Sequence, residues 1–237
     1  KYIFKDSGSE FLITTSDKID ELIAITENIS FDNIILVDDL EYKPSIFINN
    51  NIEPFDIAYI IYTSGTTGKP KGSVVHHSGL LNYLAFAKET YVGDETITFP
   101  LFTSISFDLT VTSLFTPLIS GNKIMVYNSD DEMSVIERII KDNKISIIKI
   151  TPSQLKIFIA YLDSKESINN EHFAIKRIIA GGENLEVGLC KKVYDLLSDK
   201  VEIINEYGPT ETVVGCLVHK FDILKENIFG VDLDAQA

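Results

Sequence analysis

Short runs rich in isoleucine and valine recur along the chain, separated by longer stretches of helical period. "FLIT" (11–14), "NIILV" (33–37), "IAYIIYT" (57–63), "ETITF" (95–99), "NKIMVY" (122–127), "ISIIKI" (145–150), "IKRIIA" (175–180) and "VEIINE" (201–206) are predicted strands. Between several of them lie helix candidates. In "SGLLNYLAFAKETY" (78–91), Leu80, Leu81, Leu84 and Phe86 or Ala87 fall near one face. "MSVIERIIKDN" (133–143) repeats the pattern with Val135, Ile136, Ile139 and Ile140, and "TPSQLKIFIAYL" (151–162) opens with a Thr–Pro helix start. Strand alternating with helix predicts an α/β fold, largely parallel sheets with helices on both faces. The unbroken "IAYII" predicts a strand buried on both sides. "DSKESINNEH" (163–172) reads as a surface loop and "NNNIEPFD" (49–56) as a connector.

Composition narrows the chemistry. The chain has 237 residues, room for one large or two smaller domains, and is 45% hydrophobic and 24% charged, as in soluble globular proteins. Its net charge of −14 repels nucleic acid on average, although a local positive loop can still hold a small phosphate compound. Cys190 and Cys216 lack metal-ligand spacing and read as reduced, partly buried thiols of a cytoplasmic protein. "KYIFKDSGSEF" puts charges where a signal peptide needs an apolar core, and no apolar run is long enough to span a membrane.

The strongest candidate site is "YTSGTTGKPKG" (62–72). Gly65, Gly68 and Gly72, with the hydroxyls of Thr63, Ser64, Thr66 and Thr67, let successive backbone N–H groups converge on an anion, and Lys69 and Lys71 add positive charge. The Walker phosphate loop is excluded: Gly65 and Gly68 are too close, and Pro70 and Gly72 oppose a helix starting here. These eleven residues after a strand resemble the signature loop of the adenylate-forming enzymes, which include acyl-CoA synthetases, luciferases and the adenylation domains of nonribosomal peptide synthetases. In that family the loop holds the outer phosphates of ATP while a carboxylate attacks the α-phosphorus.

"NEYGPTET" (205–212) resembles the family's second nucleotide motif. The resemblance implies that Asn205 and Tyr207 contact and stack the adenine, Thr210 touches the α-phosphate, and Glu211 holds Mg²⁺. An aromatic face and a hard carboxylate oxygen suit those tasks. "SFDLTVTSLFTPLISG" (106–121) resembles the start of the amino-acid pocket, and "AGGENL" (180–185), with Gly182 and Glu183, a segment lining pocket and adenine site. His77 stands where the family often has a histidine; a helix-start role is equally open. "YIFKDSGSEFLITT" resembles an edge strand of the family. The likeness spans about residues 1–220.

Within that family the resemblance assigns the amino-acid pocket to Asp108, Leu109, Thr112, Lys149, Ile179, Gly181, Glu206, Val214 and Gly215, a pattern similar to asparagine-activating members. Asp108 would pair with the substrate's α-ammonium, which argues against a fatty acid. Lys149 and Glu206 offer a donor and an acceptor, and a carboxamide needs both. A carboxylate against Glu206 would cost about 4 kcal/mol at roughly 4 Å and an effective dielectric near 20, partly offset by Lys149. Glutamine is one methylene too long, worth about 1–3 kcal/mol. Taken singly, either charge reads more readily as a strand residue leaning into solvent; two opposite charges on pocket positions shift the balance toward function.

The expectation is therefore an ATP- and Mg²⁺-dependent amino-acid adenylating ligase acting on L-asparagine, with aspartate or glutamine as alternatives and a carrier domain with its pantetheine arm as partner. Residues 1–227 would form its substrate- and ATP-binding core, followed by an unmatched tail at 228–237. The family's ribose-gripping aspartate and its C-terminal lid with a positioning lysine have no counterpart in the sequence, which predicts a weakly active or inactive core. A non-catalytic module binding amino acid and ATP is the alternative of another class.

Overall fold

The computed structural model describes residues 2–25, 33–41, 51–64, 68–128, 133–164 and 173–224. Gly65, Thr66, Thr67, most of the predicted loop at 163–172 and the tail at 228–237 lie outside them. The element order is α1 (Tyr2–Ser7), β1 (Leu12–Thr14), α2 (Ile19–Ile25), β2 (Ile34–Leu36), β3 (Ile57–Thr63), β4 (Lys71–His76), α3 (His77–Ala87), β5 (Thr98–Leu101), α4 (Leu109–Ile119), β6 (Lys123–Val126), α5 (Val135–Asp142), β7 (Ile147–Ile150), α6 (Pro152–Asp163), β8 (Arg177–Gly181), α7 (Val187–Leu197), β9 (Glu202–Tyr207) and β10 (Leu217–Lys220).

The predicted α/β class with mostly parallel sheets is what the chain adopts. Strands β7, β8 and β9 run parallel, and β10 closes the sheet antiparallel to β9. The pairs β1–β2 and β5–β6 are also parallel. Because strand side chains alternate, each isoleucine of the three central strands commits to one face. Ile148, Ile150, Ile178 and Ile203 pack against α5, α6 and α7, in contact with Ile139, Phe158 and Val193. Ile147, Ile179 and Ile204 face the other way, onto Leu80, Leu84 and Val111 of α3 and α4. Each such burial contributes roughly 1.5–3 kcal/mol, more than the ~1 kcal/mol span of strand propensities, so packing fixes the register.

Local signals set the helix that leads out of β7. Thr151 accepts from the Gln154 backbone while the Gln154 side chain accepts from the Thr151 N–H, and Pro152 fills the first turn. That reciprocal cap satisfies two donors the helix cannot use internally.

Several expectations are corrected. Strand β3 is not buried on both sides: it pairs only with β4 among the described strands, antiparallel, and Ile57 is 54% exposed. The unpredicted β4 opens with Lys71, Gly72 and Ser73, residue types that strands disfavour. On α3 the buried stripe is Leu80, Tyr83, Leu84 and Ala87, whereas Leu81 and Phe86 are exposed. The 3.6-residue period selects i, i+3, i+4 and i+7 from Leu80, which brings in a tyrosine in place of a leucine. The predicted strand at 95–99 is displaced to Thr98–Leu101. Tyr2–Ser7 is helical, with only Leu12–Thr14 of that segment in a strand. Helix α4 forms despite its β-branched residues and Pro117, because seven of its residues are buried. Cys190 is buried and Cys216 exposed. Among the described residues no helix is long and apolar enough to cross a membrane.

Candidate active site

In open α/β sheets, ligands sit beyond the carboxyl ends of the strands. The chain has a cleft of about 890 Å³ at that edge. Thr63 ends β3 and Ser64 follows it, Phe102 and Thr103 follow β5, Thr151 follows β7, Gly182 and Glu183 follow β8, and Gly208 to Thr210 follow β9; all line it, together with Asp108 and Leu109 at the start of α4. Five strand ends thus converge on one space. Strands β3 and β4 pair as an antiparallel hairpin up to Thr63 opposite Lys71. The exclusion of a Walker loop agrees with this geometry, because the chain continues into a strand, not a helix.

Hydroxyls border much of the cleft, with the carboxylates of Asp108 and Glu183 among them. Thr63, Ser64, Ser104, Ser106 and Thr210 supply O–H groups, and the backbone of Gly68 and of Gly182 takes positive φ (+81° and +83°), which glycine adopts without strain. Lys69 and Lys71 are exposed at the hairpin, and Lys69 Nζ lies 6.0 Å from the Tyr2 ring centroid. Glu183 Oε2 accepts from Ser153 N–H (3.0 Å) and Oγ (2.6 Å), which holds its carboxyl below the usual range and satisfies another donor of the first turn of α6.

Glu211 lies exposed in the single turn Thr210–Thr212, and Tyr207 is 64% exposed at the end of β9. Asn205 sits within β9, opposite Ala180 and His219. No cluster of three or more His, Cys, Asp or Glu side chains that could hold a metal occurs among the described residues. A lone carboxylate such as Glu211 fits Mg²⁺, which generally takes one or two carboxylates and completes its octahedron with phosphate oxygens and water.

Beneath the cleft lies a second arrangement. Lys149 and Glu206 share the α3–α4 face of the sheet, two strands apart, and are 2% and 4% exposed. They form a direct ion pair through Lys149 Nζ and Glu206 Oε2. Lys149 also donates to Thr112 Oγ1 (2.7 Å) and, at 3.3 Å, to the Tyr83 hydroxyl. Glu206 Oε1 accepts from the hydroxyls of Tyr83 (2.9 Å) and Tyr91 (2.6 Å). Tyr83 spends its one proton on Glu206, so in the contact with Thr112 (2.5 Å) the Thr112 hydroxyl donates. Burial pushes the Lys149 ammonium down, opposed by the charges of Glu206 and Asp108; burial and the charge of Glu206 push both tyrosines up.

Glycines make room for this pair. A Cβ at Gly181 would lie 2.8 Å from the Glu206 carbonyl oxygen, and one at Gly215 would lie 2.6 Å from Glu206 Cδ. Gly215 is delivered by Val213 and Val214, both at positive φ (63° and 68°), a strained conformation for β-branched residues that costs about 1–3 kcal/mol each. Ile179 and Val214 are buried in the same apolar cluster. Of the nine residues expected in the pocket, Asp108 and Leu109 therefore border the open cleft. Thr112, Lys149 and Glu206 form the polar cluster, and Ile179, Gly181, Val214 and Gly215 pack around it.

Two members of that cluster, Tyr83 and Tyr91, escape the sequence reading. The signal available is the continuation of the buried stripe at eight-residue spacing, Tyr83 to Tyr91, but a π-helical turn (Lys88–Val92) shifts the second residue in a way periodicity does not foresee.

Comparison with known proteins places the chain. The profile of the AMP-binding enzyme family matches residues 1–231. Tyrocidine synthase 3 of Brevibacillus parabrevis is 47% identical over 225 residues, 94% of this chain and 3% of that protein. Bacitracin synthase 3 of Bacillus licheniformis is 41% identical over 227 residues, 94% of this chain and 3% of that protein. The chain therefore spans a small part of the length of these relatives. In structure it resembles the nonribosomal peptide synthetase FmoA3 in its alpha-methyl-L-serine-AMP bound form, with a TM-score of 0.80 at 21% identity over 93% of this chain and 24% of that one. That likeness establishes the fold, and the sequence matches establish the lineage: this chain belongs to the AMP-binding enzymes, the adenylate-forming ligase family of nonribosomal peptide synthetases.

Proposed function

We propose that residues 1–227 form the substrate- and nucleotide-binding core of an amino-acid adenylation domain, working in the cytoplasm of its cell. A substrate carboxylate oxygen bonds to the α-phosphorus of ATP as the bond to pyrophosphate breaks, giving an aminoacyl adenylate. A carrier domain's pantetheine thiol then takes the acyl group and releases AMP. The loop from Thr63 to Lys71, including Gly65, Thr66, Thr67 and Gly68, holds the outer phosphates. Thr210 contacts the α-phosphate, Gly182, Glu183, Asn205 and Tyr207 surround the adenine, and Glu211 binds Mg²⁺, which would neutralise phosphate charge.

The amino acid we propose is L-asparagine, with its ammonium on Asp108. The observation that carries this choice is the buried Lys149–Glu206 pair. Glu206 Oε1 already accepts two hydroxyls and Oε2 one ammonium N–H, so one acceptor direction remains for an amide N–H. All three Lys149 protons are engaged, and the 3.3 Å bond to Tyr83 is the longest of those whose lengths are normal. A carboxamide oxygen would take that proton. Aspartate has no N–H for Glu206 and sets charge against charge.

ATP–pyrophosphate exchange across the amino acids, run on the longest polypeptide the gene encodes, tests the proposal. Exchange with asparagine at least tenfold above aspartate and glutamine is expected. Exchange that favours another amino acid removes the asparagine assignment. Binding of ATP and asparagine by calorimetry with no exchange for any amino acid replaces adenylation by a non-catalytic binding module.

A further inference from the structure

The tyrosines at 83 and 91 differ in how they are held. Tyr83 is one link among Lys149, Thr112 and Glu206. Tyr91 makes one side-chain hydrogen bond, to Glu206 Oε1 at 2.6 Å, and the surrounding structure aims it there. Its ring is fully buried and meets Phe86 edge-on at 6.0 Å. It sits in the π-helical turn Lys88–Val92, an extra-residue turn of a kind that often marks functional positions. Its backbone carbonyl accepts from Arg177 Nη1 at 2.8 Å, and the same guanidinium binds Glu95 (2.9 Å) and Glu202. A three-way-anchored arginine on β8 thus fixes the turn from which Tyr91 reaches Glu206 on β9.

We infer that Tyr91 is a positioning residue for amino-acid selection: its hydroxyl fixes the orientation of the Glu206 carboxylate and so decides which side chain the pocket accepts. This rests on the pocket reading proposed above. Without the Tyr91 donor, Glu206 Oε1 keeps only Tyr83, and the carboxylate can rotate about its last bond to present a different oxygen. Selection then loosens, because rejection of a carboxylate substrate depends on a charge held in one place. ATP sits against other residues, so its binding is unaffected. A tyrosine that merely filled space would be replaced by phenylalanine without change in selectivity.

The test is exchange kinetics over the amino-acid panel for the parent and for Tyr91→Phe, with folding verified by circular dichroism and urea midpoint. Loss of one hydrogen bond to a charged group predicts an asparagine-to-aspartate ratio of kcat/KM lowered about tenfold or more, carried by KM for the amino acid, with KM for ATP unchanged. Arg177→Lys, which keeps a cation beside Glu95 and Glu202 but withdraws the reach to the Tyr91 carbonyl, is expected to shift the ratio in the same direction, about threefold. A folded Tyr91→Phe whose panel profile stays within twofold of the parent overturns the inference. If that variant does not fold, an unmoved profile in Arg177→Lys overturns it and a moved one supports it. A parent that prefers another amino acid removes asparagine alone, and Tyr91 is then judged by whether that preference moves. A parent that exchanges nothing removes the pocket reading and this inference together.

Discussion

The two faces of the central sheet are built from the same strands and differ sharply in what they carry. Toward α5, α6 and α7 the contacts are almost wholly hydrocarbon, with Ile148, Ile150, Ile178 and Ile203 against Leu155, Phe158 and Val193. Toward α3 and α4 the same strands present Ile147, Ile179 and Ile204, and then, two positions along, Lys149 and Glu206 with the hydroxyls of Thr112, Tyr83 and Tyr91. Packing on the first face tolerates no substitute for volume. The second face holds charges whose cost is met only while every partner is in place. One sheet therefore packs hydrocarbon on one side and a buried charge network on the other.

The sharpest way to break the contrast is to remove one partner on each face. Glu206→Ala leaves a buried ammonium unpaired and is expected to cost about 3–5 kcal/mol in urea unfolding. Phe158→Ala on the hydrocarbon face should cost a similar ~3–5 kcal/mol by leaving a cavity. Only the first should be rescued by a second change: Lys149→Met combined with Glu206→Leu is expected to recover the part of the loss due to the stranded charge, while the Tyr83 and Tyr91 hydroxyls still lack their acceptor. Failure of that rescue would show that the second face depends on more than charge pairing.

A smaller effect follows from Gly215, where an added methyl would press on Glu206. Gly215→Ala should lower stability by about 1–3 kcal/mol, read from the urea midpoint, because the neighbouring valines hold the loop in place and the carboxylate must move instead.

The mildest intervention is pH. Tyr83 and Tyr91 have folded-state pKa values above those of the unfolded chain, through burial and then the charge of Glu206. Their contribution to stability is thus complete below about pH 10 and is lost as pH rises beyond it. Following phenolate absorbance, these two of the ten tyrosines should ionise only with unfolding, and Tyr91→Phe should remove one phenolate from that late step.

Much of the fold was legible because packing rewards the pattern seen in the chain. The runs at 145–150, 175–180 and 201–206 became the central strands, and the Thr-Pro start at 151 became a capped helix. Lys149 and Glu206 could be singled out only through the family resemblance; alone, a lysine inside one apolar run and a glutamate ending another read as strand residues leaning into solvent. Residues joined by tertiary contact were harder to see. Strand β4 is hidden by its glycine and serine, and β3 lacks the polar alternation that its exposed positions would normally show. Tyr91 depends on a turn of irregular pitch and on an arginine 86 residues away, which no local window contains.

The directness of the lysine–glutamate contact also constrains how such a pocket can change over generations. Exchanging either partner alone passes through a variant with a stranded charge, unstable enough to be cleared before any benefit of a new preference is felt. Exchanging both at once avoids the stranded charge but is rare. On the proposed reading of the pocket, a lineage carrying this couple is therefore held at its selectivity by the instability of the intermediates, whatever advantage lies on the far side.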